Sequence, residues 1–207
     1  MMEDEKMVNT IIFDIGMVLI DFCWKKMFHG FGLDGEDFEK VANATVRNQA
    51  WNEFDKGLVS VEEIIDVFAE KAPEYRPYIA KIFEDPTKMI EQYDYAKDWI
   101  RELKARGYKV YILSNWSEPT YHACLDNELD FLPLVDGAVF SFQEHVIKPD
   151  KRIFEIICER YNINPSEAIF LDDNEANVIS SREFGLNTIH FKNYEQGKAE
   201  LEELLAK

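Results

Sequence analysis

Four places in the chain carry residue types suited to chemistry on an anionic group: Asp14, the pair Ser114-Asn115, Lys148, and the pair Asp172-Asp173. Carboxylates are hard oxygen ligands for Mg²⁺. They can also act as nucleophiles that form covalent intermediates. A bound metal lets such a carboxylate approach a phosphate against their like charges. A hydroxyl, a backbone N–H and an ammonium can stabilise the oxygens of a transferring group. Read together, Asp14 could attack phosphorus, with Asp14 and Asp172 holding magnesium. Ser114, Asn115 and Lys148 would contact the phosphate. Each place also has a bland reading by itself. Asp14 and Ser114-Asn115 could be turn residues, Lys148-Pro149 a helix start, and Asp172-Asp173 a helix N-cap.

Their setting shifts the reading toward function. TIIF (Thr10 to Phe13) ends at Asp14, KVYIL (Lys109 to Leu113) at Ser114 and AIFL (Ala168 to Leu171) at Asp172. Each is a short apolar run with the character of a buried strand. GAVF (Gly137 to Phe140) and TIHF (Thr188 to Phe191) read as further strands. Helical periods fill Asp94 to Arg106, Asp150 to Tyr161 and Glu175 to Phe184, with Gly107 and Gly185 as C-terminal stops. Strands alternating with helices predict an α/β fold: a parallel sheet with helices on both faces. In such a sheet the C-terminal strand ends share one edge, where ligands bind. Residues a hundred positions apart are thereby brought to one pocket.

From about Phe22 to Tyr93 no strong strand signal appears. Asp37 to Trp51 and Ser60 to Lys71 read as helices, the second opened by a Ser60/Glu63 capping box. The expected organisation is a core of residues 1–21 and 94–207, with 22–93 inserted as a small helical cap. Such a cap excludes water and contacts the non-phosphate part of a substrate. Trp24, Lys25, Arg47, Trp51 and Trp116 are the candidates for its lining, although aromatics at helical spacing (Phe38, Trp51, Phe54) also suit plain packing. His29, His122, His145 and His190 show no metal spacing, and His190 reads as structural.

Composition sets the bounds. With 46% hydrophobic residues among 207, a packed core is expected rather than disorder. A net charge of -17 argues against nucleic acid and anionic membrane as partners. It also requires a phosphate site to supply its own positive charge. Cys23, Cys124 and Cys158 are widely spaced, with no CxxC pair, which fits a reducing cytoplasm. MMEDEKMVNT lacks the basic-then-apolar pattern of a signal peptide, and no apolar stretch nears the ~20 residues of a membrane span. The expected partner is a small phosphorylated metabolite, and either a monomer or a homodimer is compatible with the sequence.

FDIGMVLIDF (Phe13 to Phe22), YILSNW (Tyr111 to Trp116), Lys148 in VIKPD and FLDDNEANV (Phe170 to Val178) together resemble the four motifs of the haloacid dehalogenase superfamily. The resemblance implies a Rossmann-like core with Asp14 as nucleophile and Ser114 and Lys148 as phosphate contacts. It implies Asp172 and the Gly16 carbonyl as metal ligands beside Asp14, with Asp173 behind them. WNEFDKGLVSVEEI (Trp51 to Ile64) is similar to the cap of a sugar-phosphate phosphatase subgroup that includes enzymes acting on glucose 1-phosphate. The implied activity is therefore a magnesium-dependent phosphatase for a sugar phosphate or similar small monoester. The alternatives are a weakly active or non-catalytic binding protein, or a 2-haloacid dehalogenase. Dehalogenases of the superfamily need no metal, and Asp172-Asp173 departs from their pattern.

One position departs from the phosphatases. They usually carry an acid two residues after the nucleophile, and here that residue is Gly16. General acid–base help is typically worth ~10²–10⁴-fold. An anomeric leaving oxygen needs less of it, which favours sugar 1-phosphates. Asp21, Glu53 and Asp55 could supply the missing proton, but the sequence does not place them.

Overall fold

Thr10–Phe13 forms β1, buried along its whole length at the centre of a five-stranded sheet. The computed structural model describes residues 7–206. Of the stretch read for a leader signal, MMEDEKMVNT, residues 1–6 lie outside them. After β1 the chain runs through Gly16 into a short strand, β2 (Ile20–Phe22). Five helices follow: α1 (Trp24–Gly30), α2 (Gly35–Ala44), α3 (Trp51–Asp55), α4 (Val61–Glu70) and α5 (Arg76–Glu84). The chain returns through β3 (Ile90–Gln92) to α6 (Ala96–Ala105) and β4 (Lys109–Ser114). Then come α7 (Glu118–Cys124), β5 (Gly137–Phe140), the single turn α8 (Ser141–Glu144) and α9 (Lys151–Tyr161). β6 (Ala168–Asp172), α10 (Glu175–Phe184), β7 (Asn187–His190) and α11 (Tyr194–Leu205) complete the core.

The sheet order is β5-β4-β1-β6-β7, and every pairing is parallel. Successive strand residues face opposite sides. Ile11 and Phe13 therefore join Val110, Ile112, Ile169 and Leu171 in one apolar layer with Trp99, Ile100 and Leu103 of α6 and Leu201 of α11. Ile12 joins Leu113, Val139 and Phe170 in the other, with Ile153, Phe154 and Ile157 of α9. The Trp99 ring meets Phe13 edge-on at 4.8 Å, fixing α6 against the central strand. The structure is thus the expected α/β fold with helices on both faces and a small inserted helical cap.

The cap carries its own apolar cluster of Phe54, Ile64, Ile65, Phe68, Ala69 and Ile79. The Ser60/Glu63 capping box is present: Ser60 Oγ accepts from Glu63 N, and the Glu63 carboxylate accepts from Ser60 N at 2.7 Å. Three expectations need correction. Asp37 to Trp51 is not one helix. α2 ends at Ala44, where Thr45 turns its hydroxyl back onto the Val41 carbonyl at 2.6 Å and Asn48 bonds the Ala44 carbonyl. Such local side-chain bonds compete with helix continuation. The segment from Phe22 to Tyr93 does touch strands, because β2 and β3 pair antiparallel as Ile20↔Gln92, Asp21↔Glu91 and Phe22↔Ile90. The last strand spans Asn187–His190 and stops short of Phe191.

Candidate active site

Sheet register brings the chemistry to one edge. Phe13 pairs with Ile112 on one side and Leu171 on the other, so the next residues, Asp14, Leu113-Ser114 and Asp172, emerge side by side. Asp14 is 7% exposed, Lys148 2% and Asp172 fully buried. The Lys148 ammonium sits between the two acids, 2.8 Å from Asp14 Oδ1 and 2.7 Å from Asp172 Oδ2. Asp14 Oδ1 also accepts from Ser114 Oγ at 2.9 Å and from the Ile15 backbone N–H at 2.7 Å.

Two asparagines hold the surrounding loops. Asn115 Nδ2 donates to the Lys148 carbonyl at 3.0 Å, and Lys148 N donates to Asn115 Oδ1 at 2.8 Å. This reciprocal pair locks the loop after β4 to the lysine loop. The Asn115 side chain thus positions the lysine loop, a role apart from the phosphate contact expected of its backbone N–H. Asn177, from α10, donates to both oxygens of Asp172 at 3.0 and 3.1 Å, and Asn174 N donates to Asp172 Oδ1 at 2.8 Å. Asn177 was contained in the fourth motif but received no role there. Its place one helical turn into α10, facing back to the strand end, was the available signal.

The electrostatics follow from burial. Desolvation pushes the Asp14 carboxyl up to about 7; Lys148 opposes the shift and Asp172 adds to it. Burial works against the Lys148 ammonium, but the Asp14 and Asp172 carboxylates outweigh it and hold its pKa above the ordinary lysine value. Burial, then the Asp172 charge, raises Asp173. Carboxylate oxygens of Asp14, Asp172 and Asp173 all lie within 4.8 Å of one another. One ammonium therefore faces three acids, an arrangement whose charge and hard oxygen donors fit a divalent cation.

These residues open onto a cavity of about 340 Å³, lined from the core by Asp14, Gly16, Ser114, Asn115, Lys148 and Asp173. Trp51 and Asp55 of α3 reach it from the cap, and Met17, Ile20, Phe22, Met89, Ile90 and Trp116 give it apolar walls. Of the candidate lining residues, Trp51 and Trp116 are present. Trp24, Lys25 and Arg47 are not among its walls: Trp24 stacks on Phe38, Lys25 and Arg47 lie over the Trp24 ring, and Arg47 also pairs with Glu39. The Trp116 indole N–H is buried with no hydrogen-bond partner among the described residues. His190 is structural, bonding the Asp173 carbonyl at 2.9 Å.

A parallel α/β core with carboxylates and a lysine gathered at its C-terminal strand edge, under a helical cap, defines the class. The model of the haloacid dehalogenase-like hydrolases matches residues 8–185, and the chain belongs to that family. It is 25% identical over 182 residues to the sesquiterpene phosphatase astK of Aspergillus oryzae, covering 88% of this chain and 89% of that protein. It is 25% identical over 211 residues to the D-ribitol-5-phosphate phosphatase of Bacteroides thetaiotaomicron, covering 96% and 99%. An (S)-2-haloacid dehalogenase of Burkholderia cepacia is 32% identical over 103 residues, 49% of this chain and 44% of its own length. Among solved structures, a family enzyme from Bacteroides thetaiotaomicron superposes with a TM-score of 0.72 at 20% identity over 95% of this chain and 99% of its own. A dehalogenase with an intermediate complex superposes with 0.73 at 22% identity over 97% and 98%. At these identities both show the fold alone.

Proposed function

We propose that this hydrolase is a magnesium-dependent phosphatase that cleaves a small phosphate monoester through an aspartyl-phosphate on Asp14. The observation that carries the proposal is the position of Lys148, pinned between Asp14 and Asp172 while three carboxylates converge beside it. A dehalogenase needs one attacking carboxylate, whereas an acid cluster of this kind suits a metal and an anionic substrate. The likeness to two phosphatases over nearly the whole chain supports the same reading.

Asp14, Asp172 and the Gly16 carbonyl would hold the metal, with Asp173 beside them. When bound, it neutralises charge on the phosphate and on the attacking carboxylate. Three donors fix Asp14 Oδ1, so the carboxyl is held against rotation and its second oxygen is offered to phosphorus. Ser114 and Lys148 stabilise the equatorial oxygens of the transferring group. The leaving alcohol departs, and water then attacks phosphorus, returning Asp14 and releasing phosphate.

The ribitol-5-phosphate relative supports a small carbohydrate-type phosphate in the broad sense, although its ester is that of an ordinary alcohol and not the anomeric ester that Gly16 favours. The cavity walls favour a second reading of the leaving group. Met17, Ile20, Phe22, Met89 and Ile90 suit an apolar alcohol better than a polyol.

The test is phosphate release from sugar phosphates, prenyl and alkyl phosphates and p-nitrophenyl phosphate, with magnesium and with chelator, for wild type and Asp14→Asn. Magnesium-dependent release that disappears in Asp14→Asn is the expected result. Silence on the whole panel would remove the phosphatase reading and favour a binding protein. Halide release from 2-haloacids in chelator would favour the dehalogenase.

A further inference from the structure

Cleaving the ester of an ordinary alcohol generates an alkoxide, which needs a proton as the P–O bond breaks. Gly16 has no side chain to give one. Asp14 and Asp173 belong to the carboxylate cluster, and Lys148 is bound to two of its acids. Of the three acids that could substitute, Asp21 on β2 bonds with Cys23 and is not among the cavity walls, and exposed Glu53 pairs with Lys56 at 2.8 Å. Asp55 does line the cavity, which Asp14 and Asp173 also line.

We propose that Asp55 is the proton donor to the leaving oxygen, an assignment that rests on the phosphatase reading above. It is half-buried, and it contributes to the cavity wall. The Trp51 ring, one helical turn earlier, lines the same cavity beside it. Its backbone is tied to the core: Ser141 Oγ donates to the Asp55 carbonyl at 2.6 Å while accepting from Trp116 N at 2.8 Å. His145 Nδ1 bonds the next carbonyl, Lys56 O, at 2.8 Å. Gly57 follows with φ +67 and packs so closely that an added Cβ would lie 3.0 Å from the Phe142 carbonyl. A cap residue is thereby held in register with the loop that follows Ser114 and carries Asn115. Desolvation pushes the Asp55 carboxyl up to about 8, so it carries a proton at neutral pH.

The step balances. One Asp14 oxygen bonds to phosphorus, the P–O bond to the alcohol breaks, and the leaving oxygen takes the Asp55 proton. Water then bonds to phosphorus, the bond to Asp14 breaks, and the Asp55 carboxylate takes the water's proton. The sum is ester and water in, alcohol and phosphate out.

The experiment is first-turnover release of alcohol by magnesium-loaded wild type, Asp55→Asn and Asp55→Glu, using glycerol 2-phosphate and p-nitrophenyl phosphate. Nitrophenolate leaves without a proton. For Asp55→Asn we expect a ~10²–10⁴-fold loss on glycerol 2-phosphate and less than ~10-fold on p-nitrophenyl phosphate, with partial recovery in Asp55→Glu. Beryllofluoride should still raise the melting temperature of Asp55→Asn, because the site around Asp14 is intact. Equal losses on the two esters, or no loss on either, would overturn the assignment. Wild type that releases alcohol from neither ester overturns the phosphatase reading itself.

Discussion

Asn177 donates its side-chain amide to both oxygens of Asp172, the deepest carboxylate of the site. Groups that orient a metal ligand commonly control metal affinity by 10–100-fold. Asn177→Ala is therefore expected to weaken magnesium binding by about that factor while leaving the fold intact. Calorimetric titration with magnesium checks it, and an unchanged affinity would mean that Lys148 and Asn174 N suffice to hold Asp172.

Among the described residues, Lys148 is the one cation lining the cavity. Removing a partner from a buried ion pair typically costs about 3–5 kcal/mol. Lys148→Met should melt well below wild type in chelator, and magnesium should raise its melting temperature by more than it raises that of wild type. Phosphate release should fall at least ~10²-fold, the loss typical when one stabilising donor is removed. A variant as stable as wild type in chelator would argue that Asp14 takes up a proton and relieves the repulsion.

Asp55 should leave a signature in stability. Its folded pKa, about 8, is raised above the ordinary 3.8, so the folded chain keeps a proton that the unfolded chain sheds. The Asp55 contribution to stability is then fully present below about pH 4 and is lost as pH rises toward 8. Asp14, Lys148 and Asp173 line the same cavity from the core; on or beside its own helix stand Glu53, Lys56 and His145. Asp55→Asn removes only the Asp55 titration. It is expected to melt a few degrees above wild type at pH 8, with the gap closing toward pH 4. A gap that does not vary with pH would show that Asp55 is ionised at little cost.

Gly16 offers a reciprocal test. An added Cβ there meets nothing within 4 Å, and its φ is not in the left-handed range. Gly16→Asp should fold normally. In the Asp55→Asn background it should restore glycerol 2-phosphate turnover by ~10-fold or more, since an acid again borders the cavity. No recovery would mean that the two positions cannot serve the same oxygen.

The central strands were legible because parallel strands buried on both faces read as unbroken apolar runs, and each ended in a polar residue that could be matched to the others. β2 and β3 were hidden for the opposite reason. They are three residues long, too short for the alternation of Ile20, Asp21 and Phe22 to stand out as a strand. α11 carries a readable start, with Asn193 accepting from Gln196 N, yet Gly197 in its first turn weakens the helical signal. That glycine is there for contact, since a Cβ would lie 2.4 Å from the Phe191 ring. The core side of the site followed from strand ends. The cap side did not, because which of Asp21, Glu53 and Asp55 reaches the cavity depends on how α3 docks on α8. Trp24 and Arg47 were misplaced for a related reason: Arg47 lies beyond the end of α2, and the place of Trp24 on α1 says nothing about which side meets the core.

Phe22 and Ile90 are direct partners across β2 and β3, so the chain leaves the core and re-enters it at neighbouring points. Everything between them is in effect a long loop whose two ends are already closed. The near end of that loop is built into the core, where Met27, Phe28, Val41, Ile82 and Met89 share the apolar cluster of Phe13 and Leu171. Its far end, with Phe54, Ile64, Phe68 and Ile79, packs as a cluster of its own and carries Asp55. The same pair of neighbouring points is a socket, at which one nucleophile could be fitted with different lids.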